Sequence, residues 1–201
     1  QDGPFNIEMV TGDPGDNNVN FFFGGAMDVL QPYIDAGKLV VPSGQMTKDE
    51  VATANWATDA AQARFENILS SNYADGTPLH AVLASNDSTA LGVTNALAAN
   101  YTNDVYPVIT GQDCDIANVP NIVNGKQAMS VFKDTRTLAT KVVEMVDAIM
   151  TGGEAPVNDT KTYDNGTGII PSYLCEPVAV TADNYKEILI DSGYYTEDQI
   201  Q

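Results

Sequence analysis

Ala81-Val82-Leu83-Ala84-Ser85-Asn86-Asp87-Ser88-Thr89-Ala90-Leu91-Gly92 decides how this chain is read. Its opening residues form a short apolar run, the mark of a strand buried on both faces of a parallel sheet. Ser85-Asn86-Asp87-Ser88 ends the run with small polar residues that cap helices. Ala90, Leu91, Thr94 and Leu97 then fall on one helical side. The stretch is therefore strand, tight polar turn, helix. In open α/β sheets ligands gather outside the carboxyl ends of the strands, which puts Asn86 and Asp87 where a ligand would sit. The plainer role for Asn86 is an N-cap that satisfies the first helical amides.

The same alternation extends in both directions. Phe5 to Thr11 reads as a buried strand that ends in Gly12-Asp13-Pro14-Gly15-Asp16-Asn17-Asn18. A helix follows from Val19 to Ala36, with Phe22, Phe23, Ala26, Met27, Leu30 and Ile34 as its apolar stripe and Gly37 as its stop. Lys38 to Pro42 is a second strand. A polar connection leads to Trp56, and Thr58-Asp59 caps a helix that runs to Tyr73. His80 to Ala84 is the third strand, with His80 as a solvated edge residue. Tyr106 to Gly111 is the fourth, ending in Gln112-Asp113-Cys114-Asp115. Gln127 to Phe132 is the fifth and runs into Lys133. Uninterrupted strand–helix alternation specifies a doubly wound parallel sheet. Asn17, Asn86 and Asp113 then share the rim at the strand ends.

Beyond this point the pattern changes. Thr135 to Thr151 is a long helix carrying Leu138, Val142, Val143, Met145, Val146 and Ile149, stopped by Gly152-Gly153. Asn165-Gly166 between short runs is a hairpin signal. Tyr173 to Thr181 is another strand, and Asp183 caps a closing helix.

Composition narrows the function. Of 201 residues 43% are hydrophobic, enough for a substantial core. Nine basic residues against 27 acidic ones leave a charge of -18, a field that repels nucleic acid and anionic lipid and suits an uncharged ligand. No apolar run approaches the length of a membrane span. One histidine and two distant cysteines, Cys114 and Cys175, give zinc sites and Ser-His catalysis almost nothing to work with. The acidic turn from Gly12 to Asn18 lacks both the internal glycine and the closing glutamate of a calcium loop. No metal, cofactor or catalytic residue is expected. Gln1 looks like the start of a piece cut from a longer chain.

Several stretches together carry a family resemblance. They are Asp16-Asn17-Asn18 with Phe21 to Leu30, Ala84-Ser85-Asn86-Asp87, Gly111-Gln112-Asp113, Phe132-Lys133-Asp134-Thr135-Arg136, Asn158 to Gly166, and Pro171-Ser172-Tyr173-Leu174. With them the chain resembles the periplasmic sugar-binding proteins of ABC importers, in the multiple-sugar (aldose) receptor branch. The ribose and glucose/galactose binders are more distant. The resemblance implies two Rossmann-like lobes, joined by three crossovers, with a sugar clamped between them. Residues 1–130 and 174–201 then correspond to lobe two, and 131–173 to the hinge crossovers and a remnant of lobe one. Most of lobe one is missing.

Carried over by position, Asn86 and Asp113 match the family's sugar-hydroxyl ligands, and Trp56 falls where an aromatic ring meets the sugar face. Asn17 stands where the ribose and galactose binders have arginine, and Lys133 where they commonly use an amide. The chemistry agrees. Asp113 can accept from two vicinal hydroxyls, Asn17 and Asn86 can donate and accept, Lys133 donates, and Trp56 can cover an apolar pyranose face. For Trp56 the competing role is core packing or a helix staple.

The resemblance implies a non-catalytic receptor, periplasmic or extracellular and in some forms lipid-anchored, that delivers a monosaccharide to an ABC permease. The runner-up is the effector-binding domain of a sugar-responsive repressor, and a sugar-active enzyme comes third. Two further expectations concern this chain itself. Cys114 and Cys175 pair in a disulfide, since one follows a strand end and the other lies just beyond the last crossover. The stripe on the helix from Thr135 to Thr151, left without a lobe-one sheet, drives self-association.

Overall fold

The computed structural model describes residues 3–200, so the reading of Gln1 lies outside the described residues. Two compact units emerge: Gln1–Val131 with Ala179–Gln201, and Phe132–Val178.

The first unit is built on a parallel sheet. Strand β1 (Phe5–Val10) leads to helix α1 (Asn17–Asp35), β2 (Leu39–Val40), the short α2 (Lys48–Val51), a 3-10 turn at Ala54–Trp56, and α3 (Thr58–Asn72). Then come β3 (Ala81–Ala84), α4 (Asp87–Asn100), β4 (Val108–Ile109), α5 (Val119–Val123) and β5 (Ser130–Phe132). The sheet order is β2-β1-β3-β4, with every pairing parallel. A parallel bridge from Gln112 to Val131 carries the line on toward β5. The α/β parallel fold expected from sequence is the one observed.

Helices cover both faces of the sheet. On one side α3 and α4 bury Phe65, Ile68, Leu69 and Leu97 against Val10, Val82 and Ile109. Gly92 lets the two helices approach, because a Cβ there would overlap the Thr58 carbonyl and Ala61. On the other side Phe23 of α1 packs with Ile7, Met9, Val41 and Val51. Each fully buried large side chain contributes about 1.5–3 kcal/mol, so these two layers dominate the unit's stability. Caps fix where the helices start. Asp16 accepts from the Asn18 amide for α1, Asn86 from the Thr89 amide for α4, and Thr47 with Glu50 forms a capping box on α2.

Several sequence expectations are shortened or altered. The fourth strand contracts to Val108–Ile109 and the fifth to Ser130–Phe132. His80 is no solvated edge residue. Its Nδ1 accepts from the Asn6 amide at 2.9 Å, and its ring meets Phe5 edge-on. The closing helix is a π-helical segment, Lys186–Asp191, with Leu189 buried.

In the second unit, helix α6 (Thr135–Met150) is capped by Asp134 and buries none of its side chains. Leu138, Val142, Val143, Val146, Ile149 and Met150 are all more than half exposed. The Asn165-Gly166 signal appears as a small antiparallel turn bridged at Asp164–Ile169 and Asp159–Ser172, not as two regular strands. The chain leaves the unit through β6 (Val178–Val180), which pairs with β5 in a two-stranded sheet; the unit boundaries fall inside these two strands. No helix among the described residues is long and apolar enough to cross a membrane.

The expected disulfide does not form, and both cysteines are free. Cys114 is fully buried in the first unit, where Ser130 engages both its amide (3.0 Å) and its thiol (3.8 Å). Cys175 is a half-buried residue of the second unit.

Candidate ligand-binding site

Parallel strands deliver their carboxyl ends to one rim. After β1 the chain passes Gly12 and Asp13 to Asp16 and Asn17; after β3 it reaches Ser85 and Asn86; after β4, Gln112 and Asp113. The β1 and β3 ends are tied together, since Ser85 Oγ donates to Thr11 Oγ1 at 2.9 Å and the Ser85 amide to Val10 O at 3.0 Å.

Trp56 belongs to this rim through the loop that runs beside β1. The Thr11 amide donates to Val51 O and the Thr53 amide to Gly12 O, each at 2.9 Å. Asp13 Oδ2 accepts from the Asn55 amide at 2.6 Å, and Asp16 Oδ2 from Trp56 Nε1 at 3.2 Å. The indole lies against Gly12, where any Cβ would overlap the ring, and meets Phe22 edge-on at 6.5 Å. Trp56 remains half-buried, so it is not a core side chain. Hydrogen bonds from the Asn55 and Gly15 amides hold the Asp13 carboxyl below its usual range.

Asn17 opens α1 at the surface, where its Oδ1 accepts from Asn20 Nδ2 at 3.1 Å. Asn86 is buried and caps α4. Its Oδ1 accepts from the Thr89 amide and hydroxyl, both at 2.9 Å, which leaves its Nδ2 outside those bonds. The capping role weighed from sequence is therefore real, and it occupies only half of the amide. Lys133 follows β5, is exposed, and belongs to the second unit.

Asp113 is half-buried, with φ of 96°, and Cys114 follows at 52°. Asn55 and Trp56 have φ of 56° and 55°. These are the left-handed non-glycine residues of the described chain, and they come as two consecutive pairs, each containing one sequence-predicted ligand. Such backbone costs on the order of 1–3 kcal/mol per residue and gathers where function holds it in place.

Asp87 corrects the opening reading of the sequence. Its side chain is not offered to a ligand but is fully buried beneath the rim. There it accepts from Gln127 Nε2, Ser130 Oγ and the Asp115 amide, each at 2.8 Å. Burial pushes its carboxyl up to about 6 in spite of these bonds. Gly111 is required at this hub, because a Cβ would overlap the Asp87 carboxylate and the Gln127 amide. An open apolar cleft of about 270 Å³, walled by Phe22, Leu83, Met129 and Val131, lies near the strand ends, but none of the sequence-predicted ligands lines it.

Sequence reasoning missed Gly12, Asp13, Asp16 and the Asp87 hub. Asn55 and Asp113 carried a faint signal, as Asn and Asp tolerate left-handed backbone. The residue types of Trp56 and Cys114 gave no sign of that backbone.

The fold first defines a class: a doubly wound α/β unit whose strand-end turns gather on one rim, the place where ligands bind in open α/β sheets. The family follows from comparison. The profile of the periplasmic binding protein domain matches residues 1–154, and the chain belongs to that family. It is 50% identical, over 99% of its length, to the multiple sugar-binding periplasmic protein SbpA of Azospirillum brasilense, of which it covers 56%. It is 48% identical to the multiple sugar-binding periplasmic receptor ChvE of Rhizobium radiobacter, covering 57% of that protein. The chain thus spans little more than half the length of these relatives. Among solved structures, an ABC transporter solute-binding protein from Clostridium phytofermentans with bound β-D-glucose is 69% identical. It superposes with a TM-score of 0.96 over 100% of this chain and 62% of that one. A carbohydrate transporter solute-binding protein from Chloroflexus aurantiacus, in complex with D-glucose, is 33% identical with a TM-score of 0.86, over 98% of this chain and 62% of that one.

Proposed function

We propose that this chain is lobe two, with part of lobe one, of an extracytoplasmic receptor that binds a monosaccharide and delivers it to an ABC permease. In this reading residues 1–130 and 174–201 form the sugar-binding lobe, and 131–173 the crossovers and lobe-one remnant. The observation that carries it is the rim itself. Trp56 and Asp113, a stacking surface and a hydroxyl acceptor, each sit in a left-handed turn anchored by a carboxylate. Asn86 contributes its amide and Asn17 the neighbouring turn; Lys133, a ligand by the family resemblance, is a hydrogen-bond donor in its own right. The glucose bound by the C. phytofermentans relative makes an aldohexose the first ligand to try. The receptor is non-catalytic, and it is periplasmic or extracellular, with a lipid anchor in some forms of the full-length protein.

The chain holds one tryptophan, so its emission reports Trp56 alone. In the full-length protein D-glucose is expected to bind by calorimetry and to shift the part of the emission that Trp56→Ala removes. Trp56→Ala should weaken binding by about 2 kcal/mol, the scale of an aromatic hot spot, with the fold retained. Unfolding of Trp56→Ala, or turnover of the aldose by the purified protein, would overturn the assignment. This chain alone should self-associate through the α6 stripe and bind sugar weakly. A monomer in sedimentation, with a protease-resistant 134–170 segment, would contradict that.

A further inference from the structure

The turn that carries Asp113 is held from below by groups for which the sugar site itself has no use. The Asp113 amide donates to Val131 O at 2.8 Å, and the Cys114 carbonyl accepts from the Tyr195 hydroxyl at 3.0 Å. The next two amides converge on Asp87. That of Asp115 reaches Oδ2 directly at 2.8 Å. That of Cys114 reaches Ser130 Oγ at 3.0 Å, and the same hydroxyl donates to Asp87 Oδ1 at 2.8 Å. Gln127 Nε2 also donates to Oδ1, and Asn118 Nδ2 locks Gln127 Oε1 at 2.8 Å. Every bond described to this carboxylate is one it accepts, so the bonds favour the ionised form while burial favours the neutral one.

Among the described residues, the groups packed around Asp87 give it no counter-charge. Asn118 of α5 and Gln127 and Ser130 near β5 are neutral, whereas Asp115, Cys114 and Tyr195 are the titratable groups facing it. A buried carboxylate without a cation is expensive, and a neutral polar residue would serve the core better. The carboxylate earns its place through the turn. We propose that Asp87 is a positioning residue for Asp113, holding the left-handed turn through the Asp115 and Cys114 amides; this rests on the reading of Asp113 as a sugar ligand.

Protonation adds a donor to a group whose three bonded neighbours all donate to it. Since burial raises the Asp87 carboxyl to about 6, mildly acid solution releases the turn. An asparagine at 87 keeps one acceptor and sets its NH₂ against the Asp115 N–H.

The test combines D-glucose calorimetry on the full-length protein with amide spectra between about pH 5 and 7.5. The Cys114 and Asp115 amide signals should move with a midpoint near 6, and glucose affinity should fall about tenfold across that range, the limit for one linked proton per pH unit. Asp87→Asn should bind about tenfold more weakly at pH 7.5, with little change toward acid. Ser130→Ala keeps the carboxylate and removes one bridge. It should retain the pH midpoint with a loss of roughly threefold, and it carries the test if Asp87→Asn does not fold. Amides that do not titrate, or both variants binding as the wild type while Asp113→Ala abolishes binding, would overturn the role of Asp87 alone. If Asp113→Ala binds glucose as well as the wild type, the sugar-site reading falls and this role falls with it.

Discussion

The Asn55–Trp56 turn and the Asp113–Cys114 turn are one backbone device held by two opposite chemistries. Each places consecutive non-glycine residues in the left-handed region. The first is held by Asp13 and Asp16, half-exposed carboxylates within one loop of the strand end they serve. The second is held by Asp87, fully buried and joined to Ser130 and Gln127 from a distant part of the chain. An anchor in water stays ionised at little cost and tolerates change. A buried one is rigid, sensitive to neighbouring volume and sensitive to protons.

The largest break in this comparison should come from Gly111→Ala, whose Cβ has no room beside Asp87 and Gln127. Overpacking together with a broken buried network should cost on the order of 3–5 kcal/mol in a urea melt. A loss under about 1 kcal/mol would mean that the hub can spread.

Protons come next. Because the folded-state carboxyl of Asp87 is raised from 3.8 to about 6, the folded state holds its proton more tightly than the unfolded chain does. Its contribution to stability is full below about pH 4 and is lost as pH rises through about 6, a change on the order of 2–3 kcal/mol. Stability and sugar affinity should therefore respond to acid in opposite directions. Melts of Asp87→Asn should lack this slope. Asp13 is lowered instead, so the Trp56 turn should hold through the same window with constant emission. An emission change with a midpoint near 6 would erase the distinction between the turns.

Gly12→Ala is smaller, because the overlapping group is a half-buried indole that can swing aside. We expect about 1 kcal/mol of lost stability, a shifted Trp56 emission and weakened sugar binding. Least of all, Asp13→Asn should leave the melt unchanged and alter only the emission.

The sequence was most legible where periodicity speaks. The apolar run at Ala81–Ala84 and the capping residues after it gave a parallel strand and helix, and the stripe on α1 gave the opposite layer. Strand lengths were less legible: Pro107 has no amide to give to a ladder, and β4 contracts to Val108–Ile109. Asn86 showed its cap in its residue type, but Asp87 did not show that it faces inward, because its partners at 115, 127 and 130 are set by tertiary packing. The disulfide failed for the same reason. Cys114 lies in a pocket that Ser130 makes, which no spacing encodes.

That pocket has an experimental use. Burial pushes the Cys114 thiol up to about 12, which removes it from the thiolates available to an alkylating dye near neutral pH. The half-buried Cys175 is then the only practical target for a maleimide label. Trp56 is the chain's only tryptophan and belongs to the first unit, while Cys175 belongs to the second. The native sequence thus carries an energy-transfer donor in one unit and an attachment point for an acceptor in the other, so motion between the two can be followed optically without introducing a residue.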